Sequence, residues 1–126
     1  MKTLVVLTGP QGSGNHLWSK IFSLHEDVFG WKSLLTNYWE AHRFAEPFAE
    51  YWRDPSKLQS FDWSQSEYYF TSISVPLGIK EKGTHWCPNV LQFCKSAENM
   101  GINTKIVVIG RDQTILHNQQ KRLRGE

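Results

Sequence analysis

Three short segments of this chain carry strand patterning, separated by stretches with helical spacing. Thr3 to Thr8 (TLVVLT) is a continuous apolar run rich in β-branched residues, closed by Gly9-Pro10. Runs of this kind form strands buried on both faces of a parallel sheet. Tyr68 to Val75 (YYFTSISV) alternates, is β-prone and stops at Pro76. Lys105 to Ile109 (KIVVI) repeats the buried-strand pattern and is closed by Gly110. Between them, Asn15 to Leu24 sets Leu17, Ile21 and Leu24 on one helical face. Pro88 to Met100 does the same with Val90, Leu91, Cys94 and Ala97, with Pro88 near its start and Gly101 at its end. Asp112 to Leu123 sets Ile115, Leu116 and Gln119 on one side. The stretch from Trp31 to Ser60, rich in aromatic residues and broken by Pro47 and Pro55, reads as one or two inserted amphipathic helices.

Strands alternating with helices predict an α/β fold: a short parallel sheet of about three strands, flanked by helices through right-handed crossovers. With 126 residues, the chain fits one domain over residues 1–126, either minimal or C-terminally incomplete. No apolar run approaches the length of a membrane span, and the N-terminus lacks a secretory pattern. The expectation is a cytoplasmic protein without a membrane partner. A short sheet with open edges calls for a partner or a cover, so an oligomer that covers them is expected.

Charge changes the picture only locally. The net charge of +2 is too mild to argue for nucleic acid as the main partner. However, residues 105–126 carry +3, which leaves −1 for the rest. The two cysteines, Cys87 and Cys94, suit a reduced pair of thiols. His85, Cys87 and Cys94 resemble part of a zinc site but lack an evident fourth ligand, so no metal is expected.

The sharpest chemical feature is Gly9-Pro10-Gln11-Gly12-Ser13-Gly14-Asn15-His16. It follows a buried strand and opens a helix, the context a phosphate-binding loop requires. Glycines let backbone amides converge on an anion, and the helix N-terminus adds unbonded N–H groups and the positive dipole end. The spacing from Gly9 to Gly14 matches the two glycines of a Walker A loop. The next positions, normally Lys and a Mg²⁺-binding hydroxyl, are Asn15 and His16. Their loss argues against an ordinary ATPase or GTPase.

These pieces together resemble the sulfotransferase family. Ser13-Gly14 match the Ser-Gly of its loop, and His25-Glu26-Asp27-Val28 resembles its helix exit. Ser72-Ile73-Ser74-Val75-Pro76 sits where the family has a strand ending in Pro. Lys105 to Ile109, followed by Gly110-Arg111-Asp112, fits its third motif. The resemblance implies a P-loop-type three-layer fold that binds 3′-phosphoadenosine 5′-phosphosulfate without a metal. The implied reaction is transfer of its sulfonyl group to a hydroxyl acceptor. It assigns donor binding to Gly9, Gln11, Gly12, Ser13, Gly14, Asn15 and His16, and 3′-phosphate binding to Arg111, with Gln119 near the position of a family Ser.

The chain departs from the family at two places: Gly12 replaces the loop Lys or Arg, and Ser74 replaces a catalytic His. Sulfonyl transfer needs a base and a cation. His16 and Lys20 are the candidates for catalysis, with Lys32 behind them and Glu40, Glu46, Glu50 and Glu67 as unselected carboxylates. Two alternatives stand beside this reading. One is a P-loop nucleotide kinase or NTPase with a degenerate Walker A loop. The other is a non-catalytic nucleotide-binding module.

Overall fold

A computed structural model describes residues 1–10, 14–36, 46–75, 77–79 and 84–110. The β-branched run becomes β1 (Thr3–Gly9), which pairs in parallel with two other strands. On one side lies β3 (Tyr68–Ser74), in a register that sets Gly9 opposite Ser74. On the other lies β6 (Asn103–Val108). A two-residue strand, β2 (Val28–Phe29), pairs in parallel with the start of β3. The sheet therefore has four strands, ordered β2-β3-β1-β6, one more than the pattern predicts. Two residues are too few to show a period. A separate antiparallel pair, β4 (Leu77–Ile79) and β5 (Thr84–Trp86), stands outside this sheet.

Helices cover both faces. α1 (Asn15–Ser23) connects β1 to β2, and its Phe22 ring stacks on Phe70 of β3, with centroids 4.7 Å apart. α3 (Val90–Asn99) precedes β6 and packs Phe93, Cys94 and Ala97 into the core that holds Leu4, Val6 and Ile73. Its start is capped by the Asn89 side chain, which accepts from Gln92 N–H at 3.0 Å. The strand alternation separates the two layers. Leu4, Val6, Tyr69 and Ile73 face the large core, while Phe70 and Ser74 face α1.

The aromatic insert adds Phe48, Ala49, Trp52 and Leu58 to that core. Its described residues form two 3₁₀ helices, Lys32–Leu35 and Pro55–Ser60, and a short α2 (Ala49–Arg53). Trp31, Phe48 and Trp52 are each 1% exposed or less. Phe29, Phe48, Phe61, Trp63 and Tyr69 meet mostly edge to face at 4.7–6.3 Å, the favoured geometry for aromatic pairs.

The expected burial of β6 is overturned, and two helices turn apolar residues outward. The apolar stripe of α1 faces outward: Leu17, Ile21 and Leu24 are 60%, 44% and 67% exposed. The buried residues are Asn15, Ser19 and Ser23. Small polar side chains let the helix approach closely. Ser19 Oγ donates to Asn15 O at 2.7 Å, and Ser23 Oγ accepts Trp31 N–H at 2.8 Å. A Cβ on Gly30 would lie 2.7 Å from Ser23 Oγ, so only glycine fits that contact. On α3, Leu91 is exposed and Phe93 takes the inward place. In β6, Ile106, Val107 and Val108 are exposed, because the strand lies at the sheet edge among the described residues. The expected helix 112–123 lies outside the described residues.

Glu46 ties the insert to the central strand. β2 ends opposite Tyr69, so beyond it no strand among the described residues flanks the outer edge of β3. The Glu46 carboxyl, 5% exposed, fills part of that place. It accepts from Thr71 Oγ1 at 2.7 Å, Phe48 N–H at 2.8 Å and Trp52 Nε1–H at 3.2 Å, with a further bond from the Ser72 backbone. Burial disfavours the charged form more than these donors favour it, and its pKa rises to about 8. Between the ordinary value of 4.5 and about 8, the folded protein holds a proton that the unfolded chain has released. Stability therefore falls as pH rises through this window and levels off above it. The unfolding free energy from urea titrations between pH 5 and 9 should fall for the wild type, by on the order of 3–5 kcal/mol. Glu46→Gln should remove that part of the slope, and an unchanged slope would refute the assignment.

Candidate functional site

The chain leaves β1 and β3 in opposite directions. From β1 it crosses under α1 to β2, beyond β3; from β3 it crosses through α3 to β6, beyond β1. Neighbouring strands whose connections diverge leave a crevice at their carboxyl ends, and open α/β sheets bind ligands there. Gly9 and Ser74, the paired last residues of the two strands, mark this crevice. The glycine-rich turn begins at the same point.

α1 starts at the crevice with a conformation that needs glycine. Gly14 has φ 103° and ψ 17°, in the left-handed region. Trp18 N–H makes the first bond of the helix, to Gly14 O at 3.0 Å. The helix therefore offers no acceptor to the N–H groups ahead of Trp18. The first turn of α1 contains no acidic residue to offset the positive end of the dipole. The arrangement suits an anion at the turn.

Asn15 occupies the position of the Walker lysine and is used differently. It is buried, and its Nδ2 donates to Gly9 O at 3.2 Å and to Ser74 Oγ at 3.1 Å. Gly9 O also accepts Val75 N–H at 3.0 Å, which extends the β1–β3 ladder by one step. Because Gly9 O can only accept, the orientation of the amide is set: Nδ2 faces the strand ends. Asn15 Oδ1 is buried without a hydrogen-bond partner. The side chain thus joins the ends of β1 and β3 and places no cation in the turn. Ser74, where the family has a catalytic His, is 4% exposed and serves as an acceptor in the same clasp.

The other sequence-derived candidates fall in several places. His16 packs its ring against buried Trp31, with centroids 5.1 Å apart and planes at 49°. Lys20 is half-buried in the last turn of α1. Lys32 caps that helix: its Nζ donates to Ser23 O at 2.6 Å and to His25 O at 2.8 Å, a favourable place for a cation. Glu50 pairs with Lys57 and Glu67 with the partly buried Lys2, each at 3.6 Å. Glu46 is the buried carboxyl, held in the core as described above. Gln11, Gly12, Ser13, Glu40, Arg111 and Gln119 lie outside the described residues. Cys94 is buried in the core, which pushes its thiol up to about 11, and Cys87 is exposed.

No protein-family model matches the chain, and no curated protein matches it as a relative. The site must therefore be read from its own geometry. Two shallow grooves, of about 360 and 230 Å³, lie on the outer face of α3 and beside Val28 and Ser66. Neither includes the β1–α1 turn. Among the described residues, no helix is long and apolar enough to cross a membrane, and no group of three His, Cys, Asp or Glu residues could hold a metal ion.

What sequence patterning missed is the inward use of Asn15. A polar residue at the first position of a helix ordinarily reads as a solvated or capping residue. The available signal is Ser74, seven residues into β3, since a buried hydroxyl at a strand end needs a donor. Removing the clasp takes the donor from Ser74 Oγ and leaves Gly9 O with the Val75 N–H alone. Asn15→Ala should destabilise the protein by about 1–3 kcal/mol, read from urea unfolding. Asn15→Asp should cost more at pH 7, where a carboxylate faces the Gly9 carbonyl, and less at pH 4, where it is protonated and can donate. Equal stability of the three proteins at pH 7 would exclude the clasp.

Proposed function

We propose that this protein binds an adenosine phosphate donor of the 3′-phosphoadenosine 5′-phosphosulfate type at the β1–α1 turn. The observation that carries the reading is the meeting of three features at one point. A glycine-rich turn, the left-handed Gly14 that opens α1, and the diverging connections of β1 and β3 all lie at the same crevice. Backbone N–H groups and the helix dipole hold a phosphate there, and the turn needs no metal to do so. Arg111, which follows β6 in the sequence, supplies the charge for the 3′-phosphate. Gln119 adds an amide donor.

The associated reaction is transfer of a sulfonyl group to a hydroxyl acceptor, with His16, in the first turn of α1, and Lys20, in its last, as the candidate groups. A non-catalytic nucleotide-binding module is the second reading. It is favoured by Asn15, whose amide is committed to the strand ends rather than to a ligand.

Calorimetry separates these readings from a kinase or NTPase. Binding of 3′-phosphoadenosine 5′-phosphate without metal, tighter than binding of ATP with Mg²⁺, supports the proposal, and the reverse order overturns it. Arg111→Ala should weaken binding of the bisphosphate by about 1.5–3 kcal/mol while leaving adenosine 5′-phosphate unaffected. Binding without turnover across a panel of hydroxyl acceptors selects the non-catalytic module.

A further inference from the structure

Asn15 carries two polar atoms on one buried amide, and only one of them is used. Nδ2 donates to Gly9 O at 3.2 Å and to Ser74 Oγ at 3.1 Å. Oδ1 is buried with no hydrogen-bond partner, in a residue that is 4% exposed. An amide oxygen accepts hydrogen bonds and gives none. Leaving such an acceptor unpaired in the interior is costly, so native folds keep one where something else supplies the donor. Its place ties this acceptor to the turn. Gly9 begins the glycine-rich turn and Gly14 ends it, and Asn15 closes the loop on itself by bonding Gly9 O from the residue after Gly14. Among the described residues, the lysines around α1 stand elsewhere. Lys20 is in the last turn, and Lys32 is committed to carbonyls at the far end. A neutral amide with a spare acceptor thus takes the place of the Walker lysine.

A lysine favours every negative oxygen of a phosphate, whereas an amide oxygen repels a bare one and bonds one that carries hydrogen. From this unpaired acceptor we infer that the turn selects a phosphate that keeps a hydroxyl. That group is the singly protonated end of a nucleoside 5′-phosphate, whose P–OH donates to Asn15 Oδ1. A sulfate ester or an interior phosphate offers no such hydrogen. The inference rests on the reading that the turn binds an adenosine phosphate, and it makes Asn15 the residue that sets which one. The 5′-phosphorus of a phosphosulfate bears no ionisable hydroxyl near neutral pH, so the 3′,5′-bisphosphate is held more tightly than the donor. The sign of the pH effect separates Asn15 from its charged surroundings. A phosphate monoester loses its last proton near pH ~6. Asn15 Oδ1 favours the protonated form and raises that value in the complex. His16 follows Asn15 on α1 and Arg111 follows β6 in the sequence, and a cation at either favours the dianion and lowers it. The helix dipole also lowers it, by less than an unpaired buried acceptor costs. Gly9 and Ser74, the paired strand ends, bear no titratable group, and Glu46 bonds farther back on β3, at Thr71 and Ser72.

Calorimetry on the full chain compares adenosine 3′,5′-bisphosphate with the analogue in which a sulfate ester replaces the 5′-phosphate. At about pH 5.5 both 5′ groups carry mostly a single negative charge and differ by one hydrogen. The bisphosphate should bind at least about tenfold more tightly. In phosphorus NMR, its bound 5′-phosphate should titrate about one pH unit above that of the free nucleotide, as a tenfold preference requires. Asn15→Ala should bring the two affinities to within about twofold of each other. Both wild-type measurements carry the test should that variant fail to fold. Equal affinities for the two nucleotides overturn the inference while nucleotide binding at the turn stands. So does a bound 5′-phosphate that titrates at or below the free value, or full discrimination by Asn15→Ala. Absence of binding by both nucleotides overturns the reading of the turn itself, and the inference with it.

Discussion

One side-chain amide ties the start of α1 to the carboxyl ends of β1 and β3, beside the Val75 N–H bond to Gly9 O that closes their ladder. Asn15 Nδ2 reaches both Gly9 O and Ser74 Oγ from the first position of α1. The strands pair in register along seven residues, but the chain leaves them in opposite directions, so divergence concentrates at this point. A crevice that opens where two connections part needs something to hold its floor. Here the floor is one buried side chain, and the helix that carries it is positioned by the same contact. The glycine turn, the helix start and the last residues of both strands are therefore one unit. Anything that binds at the turn acts directly on the joint between the two halves of the sheet.

That unit explains why α1 is built as it is. Asn15, Ser19 and Ser23 recur every four residues and form its buried stripe. Their short side chains bring the helix close enough for Asn15 to reach the strand ends and for Ser23 to accept from Trp31 N–H. Lys32 holds the far end of the helix through two carbonyls. A helix packed by larger apolar residues would stand farther from the sheet, beyond the reach of an asparagine. Apart from Phe22, which stacks on Phe70, the large apolar residues of α1 are left on the side away from the sheet.

Much of the architecture was legible in the pattern of residues. The three longer strands, their parallel arrangement, and the helices that begin α1 and α3 follow from apolar runs, Gly and Pro punctuation and helical spacing. Two kinds of information were not legible. Periodicity reports which residues share a face but not which way that face turns, so the spacing of Leu17, Ile21 and Leu24 does not reveal that Ser19 and Ser23 form the buried side. Long-range polar pairing leaves no local trace either. Nothing near Glu46 announces Thr71, twenty-five residues away, and nothing near Asn15 announces Ser74. The glycine turn was visible because its chemistry is contiguous; the clasp beneath it was not, because its chemistry is assembled by folding.

Glu46 has a consequence for the sheet as a whole. An exposed parallel strand presents N–H and C=O groups to which a strand of another chain can add, and such additions propagate into aggregates. β3 is the most deeply buried strand of the sheet, and past Tyr69 no strand among the described residues flanks its outer edge. The Glu46 carboxyl bonds to the Ser72 backbone and to Thr71 at that edge. An incoming strand would have to displace a buried carboxyl and leave Trp52 Nε1–H and Phe48 N–H without their acceptor. One side chain thus closes the edge to intermolecular strand addition along the stretch where no strand among the described residues flanks it.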